Sequence, residues 1–405
     1  MSKLAIVFGF VAAAAVIIYL TMVRGPAAPD APSVPAPVTG SAAPVVATPG
    51  APPPTARVEV TFEYSTEKRE WLEAAVADFA RANPGIAVTL VGKGSLEAEA
   101  AILDGTDKPV LWSPADTMVA NLLASEWETK TGHALYATTG DAAPQPLLLT
   151  PLVFAVWEDR AKVLVDAPGG GLSWKRIHDA VASPKGWPGI GGKAAWGFVK
   201  LGHTDPTRSN SGTQAIALMA FEFFGKTSGL TVEQLLDPKF QAYLQQIELG
   251  VPHFEASTGT FMTDMIRFGP SKYDIAVVYE SLAVSQLANA QGRWGSLHIY
   301  YPPVTIWSDH PVAILGGDWV TPAQRAAAGK LVAFLRSPAE QATALKFGFR
   351  PEDPSVPMKS ADPANPFTKM AEYGLALELP PAAQPLDGAV VRNLMQLWTR
   401  VVPKK

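Results

Sequence analysis

The sequence predicts an α/β fold divided into two lobes, and three observations carry that prediction. Apolar residues switch between period two and period 3.6 along the chain, which alternates strands with helices. The first strand, helix and strand form a βαβ unit, which calls for a parallel sheet. Residues 57–405 also exceed the roughly 250–300 residues over which one hydrophobic core keeps growing. A cleft between the two lobes is then the default binding site.

The elements follow in order. Val58, Val60, Phe62 and Tyr64 alternate as a strand. Residues 67–82 place Trp71, Leu72, Ala75, Val76 and Phe79 on one helical face, and Asn83-Pro84-Gly85 stop the helix. Residues 86–91 read as the next strand, 96–104 as a short helix ending at Gly105, 110–112 as a buried strand and 115–131 as a helix. Residues 147–157 form a nearly continuous apolar run. Helices are expected at 177–182, 213–224, 232–249, 322–336 and 338–347, and strands at 275–279, 298–301 and 312–315. The Pro- and Ala-rich stretch 351–385 reads as surface chain.

Composition excludes several function classes. The chain has 405 residues, a formal net charge of −4, 48% hydrophobic and 17% charged residues, and no cysteine. The slightly acidic balance argues against a nucleic-acid partner. The missing thiols exclude disulfides, cysteine catalysis and Cys-ligated metals. The six histidines show no zinc-protease spacing, there is no serine-hydrolase elbow, and no cofactor or metal is called for.

Residues 4–23 lack any charge, lie between Lys3 and Arg24, and are long enough as a helix to span a bilayer. They are expected to be a membrane anchor, the alternative being a cleaved signal sequence. Residues 26–56 contain ten prolines and nine alanines, and read as a semi-stiff linker. The folded part is therefore expected outside the cytoplasmic membrane, in the periplasm or extracellular space.

Candidate binding residues cluster at strand ends. His203 to Gln214 run from a polar loop into an apolar helix, so Arg208, Ser209, Asn210, Ser211, Gly212 and Thr213 present donors at a helix start, with Ser211 or a neighbour as N-cap. Ser65 and Thr66 follow the first strand, and Ser113 follows the third. Ligands of open α/β sheets bind outside the carboxyl ends of strands. Ordinary capping accounts for each motif singly. Tyr279 and Glu280 are delivered by another strand into a loop before a helix. Glu280 is expected to pair with Arg208, to meet a cationic part of a ligand, or to cap the next helix.

The stretches Tyr64-Ser65-Thr66-Glu67-Lys68, Lys108-Pro109-Val110-Leu111-Trp112-Ser113-Pro114, Gly202-His203-Thr204-Asp205-Pro206, Ser209-Asn210-Ser211-Gly212, Ser257-Thr258-Gly259, Tyr279-Glu280, Asp309-His310-Pro311, Trp319-Val320-Thr321 and Gly348-Phe349-Arg350-Pro351 carry a family resemblance. The chain resembles type 2 periplasmic solute-binding proteins, most of all the solute-binding portion of bacterial proteins that join this module to a von Willebrand factor A domain. The resemblance implies a two-lobe, periplasmic-binding-protein-like fold. Its first lobe would comprise 57–156 and 302–405, its second 157–301, with hinge strands at 147–157 and 300–315. It implies a small polar ligand, an oxyanion in the related binders whose gripping hydroxyls match Ser65, Ser113 and Ser211–Thr213 here, with a contribution from a tyrosine similar to Tyr279. The implied partner is an ABC permease, or a separate von Willebrand A domain protein in a sensing or assembly complex, since little sequence follows Trp398. A ligand-free scaffold and, less readily, a cell-envelope hydrolase are the alternatives to a non-enzymatic binding protein.

Overall fold

The computed structural model describes residues 57–140, 143–165, 171–369 and 371–403. The expected anchor at 4–23 and linker at 26–56 lie outside them. Among the described residues, no helix is long and apolar enough to cross a membrane.

Two sheets organise the chain. The elements are β1 (Val58–Ser65), α1 (Arg69–Ala82), β2 (Ile86–Lys93), α2 (Ser95–Asp104), β3 (Leu111–Ser113), α3 (Thr117–Thr131), β4 (Gln145–Pro146) and β5 (Leu148–Trp157). Next come α4 (Glu158–Leu164), α5 (Trp174–Val181), β6 (Leu201–Gly202), α6 (Asn210–Phe223), α7 (Val232–Leu235), α8 (Pro238–Leu249), α9 (Thr258–Phe268), β7 (Ile275–Tyr279) and α10 (Glu280–Ala290). The chain closes with β8 (Leu297–Tyr300), β9 (Trp307–Ser308), β10 (Pro311–Ile314), α11 (Pro322–Leu335), α12 (Pro338–Ala344), β11 (Arg350–Pro351), α13 (Pro366–Lys369) and α14 (Gly388–Val401).

The first sheet has the order β2-β1-β3-β10-β4. Its first three strands are parallel, and Tyr64 lies opposite Ser113 in register. That register sets Ser65 and Ser113 at one carboxyl edge. β10 is antiparallel to β3, with Ala313 opposite Trp112, so its entry residue His310 reaches the same edge. The alternating residues of β1 are buried because helices cover the sheet: Trp71, Leu72, Ala75 and Phe79 of α1 and Leu331 and Leu335 of α11 pack into this core.

The second sheet has the order β11-β5-β7-β6, with β8 and β9 also paired to β5. β5 explains the long apolar run. Its start pairs with β11 and β9, and its end pairs with β7 and β8, so it is buried along nearly its whole length. The chain passes between the sheets here and again through the segment before β10.

The C-terminal region departs from the expected division. Val390, Val391, Leu394, Leu397 and Trp398 form one apolar stripe on α14, and that stripe joins the core of α6, α7 and α8 beside the second sheet. Val356, Phe367 and Leu375 enter the core formed by β7, α9 and α10. The stretch expected as surface chain therefore buries side chains: Val356, Phe367, Leu375 and the α14 stripe pack beside the second sheet, while Arg392 and Met395 of α14 reach the helices of the first.

Candidate functional site

The carboxyl edge of the first sheet ends in a buried polar cluster. Ser65 terminates β1, and a single 3-10 turn, Thr66–Lys68, folds its side chains back over the strand ends. Ser65 Oγ donates to Glu67 Oε1 at 2.5 Å and accepts from the Lys68 ammonium. Lys68 Nζ also donates to the Pro114 carbonyl at 3.2 Å and lies 3.5 Å from Glu67 Oε1. His310 Nδ1 stands 3.2 Å from both Glu67 Oε1 and Lys68 Nζ. Lys68 and His310 are fully buried.

These contacts set the protonation states. Burial alone would raise the Glu67 carboxyl, but Lys68, His310 and Ser65 override it and hold it at about 2. Burial takes the Lys68 ammonium down to about 8 against the pull of Glu67. Burial, joined by repulsion from Lys68, lowers the His310 imidazole below its ordinary value. His310 Nδ1 thus faces both a carboxylate and an ammonium, and its Nε2 has no hydrogen-bond partner. His310 also holds φ at 44°, a left-handed conformation costly for a residue with a Cβ.

The second subdomain meets this edge with α6. Its N-cap is Ser209, so the helix opens at Asn210. Ser211 Oγ lies 2.8 Å from Thr204 Oγ1 and 2.7 Å from Thr258 Oγ1; Ser209 Oγ lies 3.3 Å from the same Thr258 atom. Thr213 Oγ1 donates to the Pro206 carbonyl at 2.7 Å. Gly212 is required by a close backbone crossing, since a Cβ there would sit 2.3 Å from the Thr204 carbonyl oxygen. Asn210 Nδ2 donates to the Tyr279 hydroxyl at 3.2 Å. Tyr279 is buried at the end of β7, with its ring 6.0 Å from that of His310.

Side-chain contacts join the subdomains beyond the crossings. Thr66 Oγ1 accepts from Gly259 N at 3.2 Å. Arg208 Nη2 donates to Glu97 Oε1 at 2.9 Å in an exposed ion pair. Gln214 Nε2 donates at 2.8 Å both to Asp116 Oδ2 and to Ser308 Oγ. Glu280 follows Tyr279 directly as the first residue of α10, with no intervening loop. It pairs with Arg350, Nε to Oε1 at 2.7 Å and Nη2 to Oε2 at 2.8 Å, rather than with Arg208. Arg208 is exposed and paired with Glu97, whereas Arg350 is buried, and a buried carboxylate takes the partner that can be buried with it.

Beside the cluster opens a cavity of about 720 Å³ where α2, α3, α6, the Ile306–Asp309 crossing and the 383–392 segment converge. Asp116, Thr117, Thr213, Gln214, Trp307 and Asp309 line it. Asp309 accepts from Thr117 N at 2.8 Å and from the Thr117 hydroxyl. Asp116 caps α3 through Met118 N at 2.6 Å. Its burial, and then the neighbouring Asp309 carboxylate, push it up to about 7.

Of the residues singled out in the sequence, Thr213 lines this cavity. Ser65, Ser113, Ser209, Asn210, Ser211, Gly212, Tyr279 and Glu280 are buried, and Thr66 is nearly so. Ser113 Oγ donates to the His310 carbonyl at 3.5 Å. Glu67, Lys68, Asp116, Gln214, Asp309 and His310 were not selected, although each stands within or beside a stretch already marked. A charged or titratable residue beside a hydroxyl-rich strand end is the signal that points to all of these but Gln214. Lys68 within reach of Ser65 satisfies the spacing of a nucleophile and base, but the Ser65 proton is committed to Glu67.

The solved structures similar to this chain share its fold at low identity. They include a periplasmic thiamin binding protein (TM-score 0.59, 15% identity, 86% of this chain and 97% of that one). A fructose-6-phosphate-bound periplasmic binding protein from Actinobacillus pleuropneumoniae gives 0.56 and 16%, covering 86% and 97%. The sulfate-binding protein of Mycobacterium tuberculosis gives 0.54 and 15%, covering 80% and 93%. No curated protein matches. Residues 60–350 match the bacterial extracellular solute-binding protein family, a span that takes in both sheets, both crossings and the polar cluster. The chain belongs to the family of bacterial extracellular solute-binding proteins.

Proposed function

We propose that the chain binds a small solute in the cavity between its two subdomains, closes over it, and presents the closed form to a membrane partner without chemical turnover. The observation that carries this reading is the 720 Å³ cavity at the crossings, of a size typical for small-molecule sites. The partner is an ABC-type permease, or a sensing or assembly complex that includes a von Willebrand A domain protein. Residues 4–23 would hold the chain at the outer face of the cytoplasmic membrane, with 26–56 as a spacer. The thiamin, sugar phosphate and sulfate of the neighbours' names differ in charge, so they leave this chain's ligand open.

Thr213 is the expected contact residue that reaches the cavity, while the Ser65, Ser113 and Ser211 hydroxyls have internal partners. An oxyanion held by Ser65 would first have to displace Glu67, so the hydroxyl set supports the framework of the cleft more than direct contact. Closure itself depends on Gly94, whose Cβ would lie 2.7 Å from the Arg208 carbonyl oxygen and 2.9 Å from that of Ala256, across the cleft. Its φ of −61° suits alanine, so Gly94→Ala is expected to leave the fold intact and open the cleft. Calorimetric titration of the full chain against a panel of oxyanions, sugars and amines tests the reading. One solute is expected to bind with one-to-one stoichiometry, and Gly94→Ala to weaken it about tenfold or more, since relief of such a contact costs about 1–3 kcal/mol. A folded protein that binds no member of the panel contradicts it.

A further inference from the structure

The cavity has a charge of its own. Asp116, Asp309 and Asp387 line it, and the guanidinium of Arg392 is the cation among the lining side chains. Arg392 is already within 3.6 Å of Glu126 Oε1, so its charge is shared with an acid on α3. Asp309 is served by two donors from Thr117, and Asp387 by Ala389 N at 2.7 Å. Asp116, pushed up to about 7, is partly neutral by itself, and the carboxylates of Asp309 and Asp387 leave the charge facing a solute negative, which repels an oxyanion and attracts a cation.

A second observation points the same way. Gln214 is 1% exposed, lines the cavity, and has an Oε1 with no hydrogen-bond partner. Its orientation is fixed, because Nε2 must face the acceptors Asp116 Oδ2 and Ser308 Oγ. Asn210, at the start of the same helix but outside the cavity wall, is also 1% exposed and also carries an unpartnered carbonyl oxygen, Oδ1. Buried acceptors are ordinarily satisfied, and each of these calls for a donor. In the cavity wall, the carboxylates and the Gln214 amide oxygen together form a receiver for N–H groups. Among the described residues, no group of three or more acidic or His side chains could hold a metal ion, which disfavours a bare cation. The remaining wall is apolar, with Leu96, Met118, Ile306, Trp307 and Leu386, and accommodates a hydrocarbon or ring body.

We propose that this cavity takes an organic cation, its ammonium or amidinium N–H groups received by Asp116, Asp309 and Gln214 Oε1 and its apolar body set against Trp307 and Leu386. This rests on the solute-binding reading above and names the class of solute. The inter-subdomain hydrogen bonds of Gln214 place the same acceptors on both sides of the closing cleft, so the cation is also the bridge that holds it shut.

The test is competitive calorimetry on the full chain with benzamidine, spermidine and phenethylamine as cationic probes, sulfate, molybdate and citrate as anionic ones, and glucose as a neutral one. At least one amine is expected to bind one-to-one, more tightly than every anion and glucose, with affinity falling as salt is added. Asp116→Asn is expected to weaken it about 30-fold or more, the loss that follows removal of one partner from a buried charge pair. Should that variant fold poorly, Asn121→Lys supplies the second arm: the site is exposed at the cavity wall, so the fold is retained, and the added ammonium is expected to weaken the amine at least about fivefold. An anion or glucose binding more tightly than every amine overturns the cation class and leaves the solute-binding reading standing. An amine whose affinity neither variant changes overturns the assignment to this cavity. No binding by any probe counts against both.

Discussion

Lys68→Met is expected to destabilise the protein by roughly 3–5 kcal/mol, the cost of removing one partner from a buried ion pair. Lys68 is fully buried and gives the Glu67 carboxylate its main counter-charge. Without the ammonium, Glu67 keeps the Ser65 hydroxyl and His310 Nδ1, and Pro114 O loses a donor. The double change Glu67→Gln with Lys68→Met removes both charges and is expected to recover more than half of the loss. Urea denaturation at pH 7 measures this, and a single-variant loss under about 1 kcal/mol contradicts it. The cluster also fixes two pH limbs. Glu67 is held at about 2, below its ordinary 4.5, so its stabilising contribution is present above the ordinary range and is lost as pH falls toward 2. Lys68 titrates near 8 in the folded chain against 10.5 when unfolded. The unfolded chain then binds more protons between those values, so this group makes stability rise with pH across that window, and Lys68→Met is expected to flatten the rise.

Arg350→Leu is expected to cost a similar 3–5 kcal/mol, with a different local consequence. Arg350 grips both oxygens of the fully buried Glu280 and also donates to the carbonyls of Ala376, at 2.5 Å, and Leu377, at 3.2 Å. Tyr301 donates to the same carboxylate. One guanidinium therefore ties β11, the start of α10 and the 376–377 segment together. Its loss orphans two carbonyls as well as a charge. Limited proteolysis is expected to cut within 352–387 before the rest of the chain unfolds. Arg350→Lys keeps the charge but lacks the planar fork, and is expected to recover less than half of the loss. Uniform loss of stability without early cleavage would show that the segment is held by other contacts.

The alternating pattern of β1, the Asn83-Pro84 stop and the apolar run of β5 were legible because each is a local period or a local break. Residues 232–249, read as one helix, are two: Asp237 caps α8 and Pro238 takes its first position, a signal present in the sequence and overlooked. α9 and α14 were missed, although Ser257 and Asp387 stand as their N-caps. The placement of α14 beside α6 could not be read from its own stripe, since an amphipathic face states that it is buried and not against what. At the site, the strand-end hydroxyls were legible as a class. Their partners were not, because Glu67 meets His310 across 243 residues of chain, a pairing set by the β1–β3–β10 register. The cavity was illegible for the same reason, since Asp116, Gln214 and Asp309 come from three separate segments.

The claim at the centre of this account is that the two subdomains close over a solute, and a distance across the cleft tests it most directly. The chain lacks cysteine, so spin labels can be placed singly at Ala77→Cys on α1 and Ala242→Cys on α8, both exposed. In the full chain freed of solute by denaturation and refolding, the distance distribution is expected to include a long, open component. Saturation with the tightest-binding member of the panel is expected to collapse it to the short component, while the Gly94→Ala chain retains the long one. Identical distributions with and without bound solute would contradict the account.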